Sequence, residues 1–181
     1  YDVVGDRIAS DDTTRRCTFT YDARNRTTSV QKFAERRITY AYDAVNNRTL
    51  LIDPEGGRFT YAYRADDRLA HLINPQGDRT SYAYDAVGRR LLKRLANGAL
   101  ASFTYDAADR LTRLYDFKSD SAVISGFEYN YDAVGNRTNV VEANGDRVTW
   151  SYDKAYQVTE ERRSGINAYN HAFAYDAAGN R

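Results

Sequence analysis

Apolar and polar residues alternate along short stretches of this chain, and the stretches recur at a nearly fixed spacing. A Tyr-Asp pair begins at Tyr1 and returns at positions 21, 42, 84, 105, 131, 152 and 175, with Tyr63-Arg64 as a variant. The successive steps are 20, 21, 21, 21, 21, 26, 21 and 23 residues. Such self-similarity is typical of tandem repeats in which each repeat is one supersecondary unit.

A second aromatic residue stands two positions before each Tyr that follows the first repeat. Side chains two apart lie on the same face of a β-strand, so the two rings share a face. The intervening positions are polar or small, as at Arg79, Ser81 and Ala83. The pattern predicts an antiparallel sheet with one aromatic and one polar face. The residues that we take as structural repeat anchors are Tyr21, Asp22, Tyr40, Tyr42, Asp43, Tyr61, Tyr63, Tyr82, Tyr84, Asp85, Phe103, Tyr105, Asp106, Tyr129, Tyr131, Asp132, Trp150, Tyr152, Asp153, Phe173, Tyr175 and Asp176.

Turn-forming residues occur twice in each repeat. One group follows the Tyr-Asp pair, and an Arg usually closes it; the other lies in mid-repeat, as in Asp53-Pro54-Glu55-Gly56, where Pro and Gly suit a type I turn. Each repeat is therefore predicted to be two strands and two turns. Residues 1–181 form a single array of about eight repeats and about 16 strands, all-β and antiparallel, which strand twist curls into a spiral. The extra residues around Lys118–Ser121 and near Ser164-Gly165 are predicted to lengthen loops.

Composition explains where the apolar surface comes from. The chain has 16 Tyr, and 13 of them occupy the two aromatic positions of the repeat. We expect stacked Tyr and neighbouring rings to stiffen the sheet, since cross-strand aromatic pairs are stabilising. The 26 Lys and Arg are balanced by 25 Asp and Glu, for a net charge of +1. An Arg-rich chain with interleaved aromatics suits nucleic acid, but evenly dispersed acidic residues favour a solvated face, so no nucleic-acid partner is predicted.

Candidate catalytic or metal-binding groups are few. The lone Cys17 excludes an intrachain disulfide and a Cys-based zinc cluster. His71 and His171 belong to different repeats, and structural roles are expected for both. The Asp residues recur once per repeat beside an Arg-bearing turn, which favours turn capping or ion pairing over paired-carboxylate chemistry or metal binding. We predict no enzymatic activity, no catalytic residue, no metal and no cofactor. No apolar run is long enough to predict a membrane span.

The motifs resemble a known family. The pattern Tyr-Asp-Ala-x-Gly-x-Arg, preceded by Asn-Pro-x-Gly-x-Arg-x-x-Tyr-x-Tyr-Asp and complete from Asn74 to Asp85, resembles the Rhs or YD repeats of bacterial polymorphic toxins, insecticidal toxin complexes and teneurins. The resemblance implies a spiralling sheet that forms a hollow shell, which in the toxin members encloses a toxic polypeptide. It also implies a secreted or cell-surface location. The family's aspartate self-cleavage is not transferred, because Asp53-Pro54-Glu55-Gly56 is followed by Gly57 at an ordinary turn.

Two functions follow as expectations. The first is a structural shell segment of a bacterial, secreted Rhs protein, a fragment of a longer chain, without catalysis. Its partners would be an enclosed polypeptide cargo and flanking shell segments, with self-association possible through open sheet edges. The alternative is a cell-surface adhesion module that binds a glycan or a protein partner through exposed aromatic residues.

Overall fold

The computed structural model describes residues 1–12, 15–32 and 36–181, which form sixteen β-strands. The first eight are β1 (Ala9–Asp12), β2 (Arg15–Tyr21), β3 (Thr27–Lys32), β4 (Arg36–Tyr42), β5 (Arg48–Ile52), β6 (Arg58–Tyr63), β7 (Leu69–Ile73) and β8 (Arg79–Tyr84). The other eight are β9 (Arg90–Arg94), β10 (Leu100–Tyr105), β11 (Leu111–Phe117), β12 (Val123–Tyr131), β13 (Arg137–Glu142), β14 (Arg147–Tyr152), β15 (Val158–Ser164) and β16 (Tyr169–Ala172).

Neighbouring strands in the sheet follow the order of the chain from β1 to β16. Within each unit, consecutive strands pair antiparallel, as β4 with β5 and β12 with β13. The described residues contain no helix. The predicted all-β array of hairpins and its number of strands are therefore confirmed. By contact density the chain divides into two compact units, residues Tyr1–Ala83 and Tyr84–Arg181.

In the first unit, aromatic and aliphatic side chains alternate across the strands. Leu51 of β5 is opposite Tyr40 of β4 on one side and Phe59 of β6 on the other. Leu72 of β7 is opposite Tyr61 of β6 and Thr80 of β8. In β5 and β7 an aliphatic residue therefore lies opposite the inner aromatic residue of the preceding strand.

The second unit shows the same alternation. Leu114 of β11 lies between Phe103 and Phe127, and Val140 of β13 lies between Tyr129 and Val148. Among the described residues, the apolar side chains that are buried are Val140 and Val148, with 8% and 7% of their surface exposed. Most strand residues are half-buried. The sheet is thus stabilised by contacts between neighbours within its own layer rather than by a central core.

Both kinds of turn have the same hydrogen-bond pattern. In the mid-repeat turn, Asp53 N–H donates to the Gly57 carbonyl at 2.9 Å and Gly56 N–H donates to the Asp53 carbonyl at 3.0 Å. Gly56 has a φ of 86°, so this position requires the left-handed region that Gly adopts without strain. This pattern fits a type I turn followed by a left-handed residue, a common hairpin connection. It confirms the turn predicted from Pro and Gly.

A β-bulge accompanies the hairpins of the Tyr-Asp pairs. In β10 and β11, Thr104 is opposite Arg113 whereas Tyr105 is opposite Leu111, so the register shifts by one residue. The same shift precedes Tyr21, Tyr42, Tyr63, Tyr131 and Tyr152. Bulges increase local twist and re-aim the side chain beside them. Here that side chain is the Tyr of the Tyr-Asp pair.

The predicted loop extensions are wrong. The turn between β11 and β12 has the standard form, with Lys118 N–H donating to the Ala122 carbonyl at 2.8 Å. The extra residues lengthen the strands instead, since β11 has seven residues and β12 has nine, compared with five and six in β5 and β6. Near Ser164-Gly165 the added residues likewise extend β15, which has seven residues. Extra ladder hydrogen bonds satisfy the inserted backbone groups, which a longer loop would leave to water.

The long β11–β12 hairpin generates a stability prediction. A Cβ placed on Gly126 would lie 2.4 Å from Cε1 of the Tyr115 ring on the opposite strand. We expect Gly126→Ala to destabilise the array by about 1–3 kcal/mol through overpacking, measured as a lower urea midpoint. In a Tyr115→Ala background the same substitution should cost much less, because the clashing ring is gone. Equal costs in both backgrounds would contradict overpacking against Tyr115 as the cause.

Candidate functional site

The segment after each Tyr-Asp pair, here called the Tyr-Asp turn, is built around its Asp carboxylate. In the turn that starts at Asp106, Oδ1 accepts the amide N–H groups of Ala108 at 2.9 Å and Arg110 at 3.0 Å. Oδ2 accepts a hydrogen bond from Nε of Arg110 at 2.7 Å. The side chain therefore satisfies turn amides that have no strand partner, as Asp commonly does.

In six of the eight Tyr-Asp turns the residue four positions after the Asp is Arg or Asn; in the other two it is Asp6 and Gln157. It is Arg at 26, 89 and 110, where the guanidinium contacts the Asp Oδ2 of the same turn. It is Asn at 47, 136 and 180, where the side-chain amide contacts the same oxygen. Where Asn occupies this position, the next residue is Arg: Arg48, Arg137 and Arg181. Each of these turns therefore supplies a guanidinium at one of two adjacent positions.

The Arg at the first of these positions joins consecutive turns within each unit. Arg110 Nη1 donates to the backbone carbonyl of Asp132 at 3.0 Å. Arg89 Nη1 donates to the carbonyl of Asp106 at 2.9 Å and to Oδ1 of Asp109 at 2.7 Å. In the first unit, Arg26 contacts the Asp43 carbonyl in the same way at 2.8 Å. One side chain thus caps its own turn and binds the next.

These guanidinium groups also lie over the Tyr of the following repeat. Arg26 is 4.8 Å from the ring centroid of Tyr42, and Arg110 is 4.8 Å from that of Tyr131. Arg89 is 4.9 Å from the centroid of Tyr105. A guanidinium this close to an aromatic face is attracted by the ring quadrupole. The cation therefore adds to the hydrogen bonds that link two repeats.

The Arg at the second position lies between two aromatic rings of successive repeats. Arg48 is 6.0 Å from the centroid of Tyr40 and 4.7 Å from that of Tyr61. Arg137 is 5.3 Å from Tyr129 and 5.2 Å from Trp150. At these sites a cation separates the rings, and the direct stacking between repeats that we expected is absent. Ring stacking occurs along single strands instead, as for Phe127 with Tyr129 at 6.3 Å.

The hydroxyl of the Tyr in the pair ties each repeat to the previous one. Tyr63 donates to the carbonyl of Arg48 at 3.0 Å, and Tyr105 donates to that of Arg90 at 3.0 Å. Each acceptor is the first residue of the strand that follows the previous Tyr-Asp turn. The same bond is made by Tyr21, Tyr42, Tyr131, Tyr152 and Tyr175. The Tyr therefore contributes a directional hydrogen bond as well as apolar surface.

The pKa values of these carboxyl groups follow from the hydrogen bonds. The amide N–H of Arg110 is the main reason why the pKa of Asp106 is lowered, and the side-chain amide of Asn180 has that role for Asp176. At Asp22 and Asp85, desolvation opposes the shift, but the hydrogen bonds outweigh it and the pKa is lowered. Desolvation raises the pKa of Tyr63, which keeps its hydroxyl protonated and able to donate.

A separate ionic cluster lies at the mid-repeat turns of the second unit. Arg163 contacts Glu142 at 2.5 and 2.9 Å and Oδ2 of Asp146 at 2.9 Å. Asp146 is the most buried charged residue described, at 6% exposure, and it also accepts the amide N–H of Ile166 at 3.1 Å. The side chains pair with one another, so the cluster connects two hairpins. Nothing in the repeat pattern singles out Arg163, because its partners come from another repeat.

The remaining candidate residues lie apart. Cys17 is in β2 and His71 is in β7, so they do not approach each other, and His171 is in β16 of the other unit. Within residues 1–12, 15–32 and 36–181, no three His, Cys, Asp or Glu side chains could hold a metal ion together. The part of the chain that the structure describes includes no apolar helix of membrane-spanning length. The sequence pattern missed Arg89 as a linking residue, although its spacing from Asp85 equals that of Arg26 from Asp22.

Comparison with known proteins identifies the repeat. The model of the RHS repeat matches residues 63–99 and 131–165. These two segments are RHS repeats. No curated protein sequence matches this chain significantly.

Solved structures share the fold of this chain. The crystal structure of TcdB2–TccC3 without its hypervariable C-terminal region superposes with a TM-score of 0.67 over 96% of this chain, at 15% identity. The TcdB2–TccC3–Cdc42 crystal structure gives 0.65 over 94% at 14% identity, and the Photorhabdus luminescens Tc holotoxin pore gives 0.54 over 87% at 15% identity. The present chain spans 12%, 12% and 11% of the length of those chains.

The tyrosine hydroxyl bond generates a second prediction. Tyr63→Phe removes the donor to the Arg48 carbonyl and keeps the ring, so we expect a loss of about 0.5–1.5 kcal/mol in unfolding free energy. Tyr156, whose side chain is 60% exposed in a turn, is the matched control. Tyr156→Phe should change stability by less than about 0.5 kcal/mol. The measurement is urea unfolding followed by tyrosine fluorescence, and equal effects of the two substitutions would refute the assigned role of the bond.

The carboxyl groups predict how stability depends on pH. Their pKa values are lower in the folded chain than in the unfolded one, so their contribution is present above the ordinary Asp pKa of about 4 and is lost as the pH falls below it. We expect a constant urea midpoint between about pH 7 and 5 and a steep decrease below about pH 4. Asp106→Asn should make that decrease shallower. A midpoint that stays unchanged down to about pH 3 would show that the carboxylates do not stabilise the turns.

Proposed function

We propose that this RHS array is a segment of a protein wall that encloses a polypeptide cargo and has no catalytic role. The observation that carries the proposal is the guanidinium link between consecutive Tyr-Asp turns, made by Arg26 in the first unit and by Arg89 and Arg110 in the second. A sheet only one layer thick has little core to resist opening. Arg26, Arg89 and Arg110 supply such links at three of the turns and give the sheet the stiffness that a barrier to a polypeptide requires.

The chemistry of the described residues supports a structural role. The Asp carboxylates and the Arg side chains of the Tyr-Asp turns are occupied by each other and by backbone groups. A catalytic acid or base has to present an available lone pair or proton to a substrate in a recess. The nucleophile candidate Cys17 has no His partner in a neighbouring strand. Containment needs only an unbroken surface.

The comparisons support the type of protein. RHS repeats and the fold shared with TcdB2–TccC3 point to a component of a toxin-like assembly. One of these structures is of TcdB2–TccC3 without its hypervariable C-terminal region. By that analogy, we propose that the cargo of the present array is a variable segment of its own polypeptide, and that the protein is secreted or displayed on a bacterial surface. Flanking shell segments would be its other partners.

The test is limited proteolysis of the native polypeptide that contains residues 1–181. We expect a segment outside the array to resist protease while the array is folded and to be digested at the urea concentration that unfolds it. Arg110→Ala, which removes a link between turns, should shift the onset of digestion to lower urea, whereas Lys154→Ala at an exposed turn should not. If every segment outside the array is digested without urea, enclosure is ruled out. Saturable binding of the array to immobilised glycans would then favour the adhesion alternative.

A further inference from the structure

The distribution of charge on the strands of the first unit is one-sided. Strands β3 to β8 contain Lys32, five Arg and one His, but no Asp or Glu; the Arg residues are Arg36, Arg37, Arg48, Arg58 and Arg79. Apart from Glu35, which is outside the described residues, the acidic residues of this segment lie in the turns between the strands. The balanced net charge of the chain therefore conceals a local excess of cations on the sheet itself.

Three of these cations lie on the face opposite the aromatic rings. Arg37, Arg58 and Arg79 each stand three residues before a Tyr of the aromatic face, so their side chains project to the other face. All three are exposed. In the strand register, Arg58 of β6 is aligned with Thr39 of β4 across β5. In the same way, Arg79 of β8 is aligned with Thr60 of β6 across β7. We call Arg37, Arg58 and Arg79 the Arg row. Consecutive members are two strands apart across the sheet and two residues apart along the strand direction, which places their Cα atoms roughly 12 Å from each other.

Within the described residues, the side-chain hydrogen-bond partners of Arg37 and Arg79 carry no negative charge. Arg37 contacts Oε1 of Gln31 at 3.0 Å, and Arg79 contacts Nδ1 of His71 at 3.1 Å. Both partners are uncharged acceptors. Desolvation and the positive charge of Arg79 lower the pKa of His71, which holds the imidazole neutral at pH 7. On the same face, Ile52 is opposite Arg58 and Ile73 is opposite Arg79.

The acidic residues that the structure describes in the turns before β6 and β8 have partners of their own. Glu55 pairs with Arg36, which lies on the aromatic face. Asp53 accepts the amide N–H groups of Glu55 and Gly57 in its own turn. Asp78 accepts the side-chain amide of Asn74 at 3.1 Å. The turn carboxylates are therefore committed to local contacts, and Arg58 and Arg79 retain donors that face solvent.

We propose that Arg37, Arg58 and Arg79 form a binding row for an acidic segment of polypeptide. Charge complementarity is the basis of the proposal, because guanidinium groups bind carboxylates with two parallel hydrogen bonds. The isoleucines beside the row add apolar contacts for the backbone and side chains of the same segment. The inference rests on the proposed function in one respect: the acidic segment would belong to the enclosed polypeptide, and this face of the first unit would be its contact surface.

The test measures binding of a fluorescein-labelled poly-glutamate peptide, about one repeat in length, to the 181-residue chain by fluorescence anisotropy at low salt. The row variant is Arg37→Gln, Arg58→Gln and Arg79→Gln together. The matched control is Arg94→Gln, Arg147→Gln and Arg162→Gln, which removes the same charge from the second unit. We expect the row variant to weaken binding about tenfold or more and the control to weaken it less than about threefold, since each exposed pair contributes a few-fold.

Further measurements separate a loss of charge from a loss of folding. Unchanged far-ultraviolet circular dichroism and urea midpoint show that a variant is folded. Replacing the three Arg by Glu should abolish binding of poly-glutamate and create binding of poly-lysine, a gain that misfolding cannot produce. Equal losses in the row variant and the control, or tighter binding of a heparin fragment or single-stranded DNA than of poly-glutamate, would overturn the proposal. Protease protection of the cargo is measured separately, so enclosure can hold when peptide binding fails.

Discussion

The guanidinium that leaves one Tyr-Asp turn and reaches the next is the contact on which the rest of the array depends. A single-layer sheet buries few side chains, and here Val140 and Val148 are the buried apolar residues of the described chain. Stability must then come from interactions between adjacent strands and adjacent turns, which is the nearest-neighbour regime of repeat proteins. Arg110 illustrates how much one side chain contributes, since it bonds to Asp106, to the Asp132 carbonyl and to the face of Tyr131.

The guanidinium occupies one of two locations, depending on which of the two adjacent positions of the turn is Arg. With Arg four residues after the Asp, the guanidinium lies over the ring of the next Tyr of a Tyr-Asp pair, as for Arg26 and Tyr42. With Asn there and Arg one residue later, the cation lies between the inner aromatic residues, as for Arg48 between Tyr40 and Tyr61. In both arrangements a cation contacts the ring face of the next repeat. This is how an Arg-rich and Tyr-rich composition forms a charge-balanced sheet.

The structure assigns different tasks to the two faces and the turns. The aromatic face holds consecutive repeats together, and the turns carry the carboxylates that neutralise the linking cations. The opposite face of the first unit keeps Arg37, Arg58 and Arg79 exposed to solvent. A wall that holds a polypeptide needs one set of contacts for its own integrity and another for what it touches. The different contacts of the two faces are consistent with the proposed enclosure and with the proposed acidic ligand.

The sequence by itself determined the strands, the turns and the sharing of one face by the aromatic residues, because a period of two and the turn preferences of Asp, Asn, Pro and Gly are local properties. It could not determine contacts that depend on register between strands. The one-residue bulge before Tyr105, the cation between Tyr129 and Trp150, and the pairing of Arg163 with Glu142 and Asp146 all arise from that register. The extra residues before Tyr131 show the same limit: sequence spacing revealed an insertion, but only cross-strand pairing decided that it lengthens β11 and β12, since paired strands satisfy the added backbone groups.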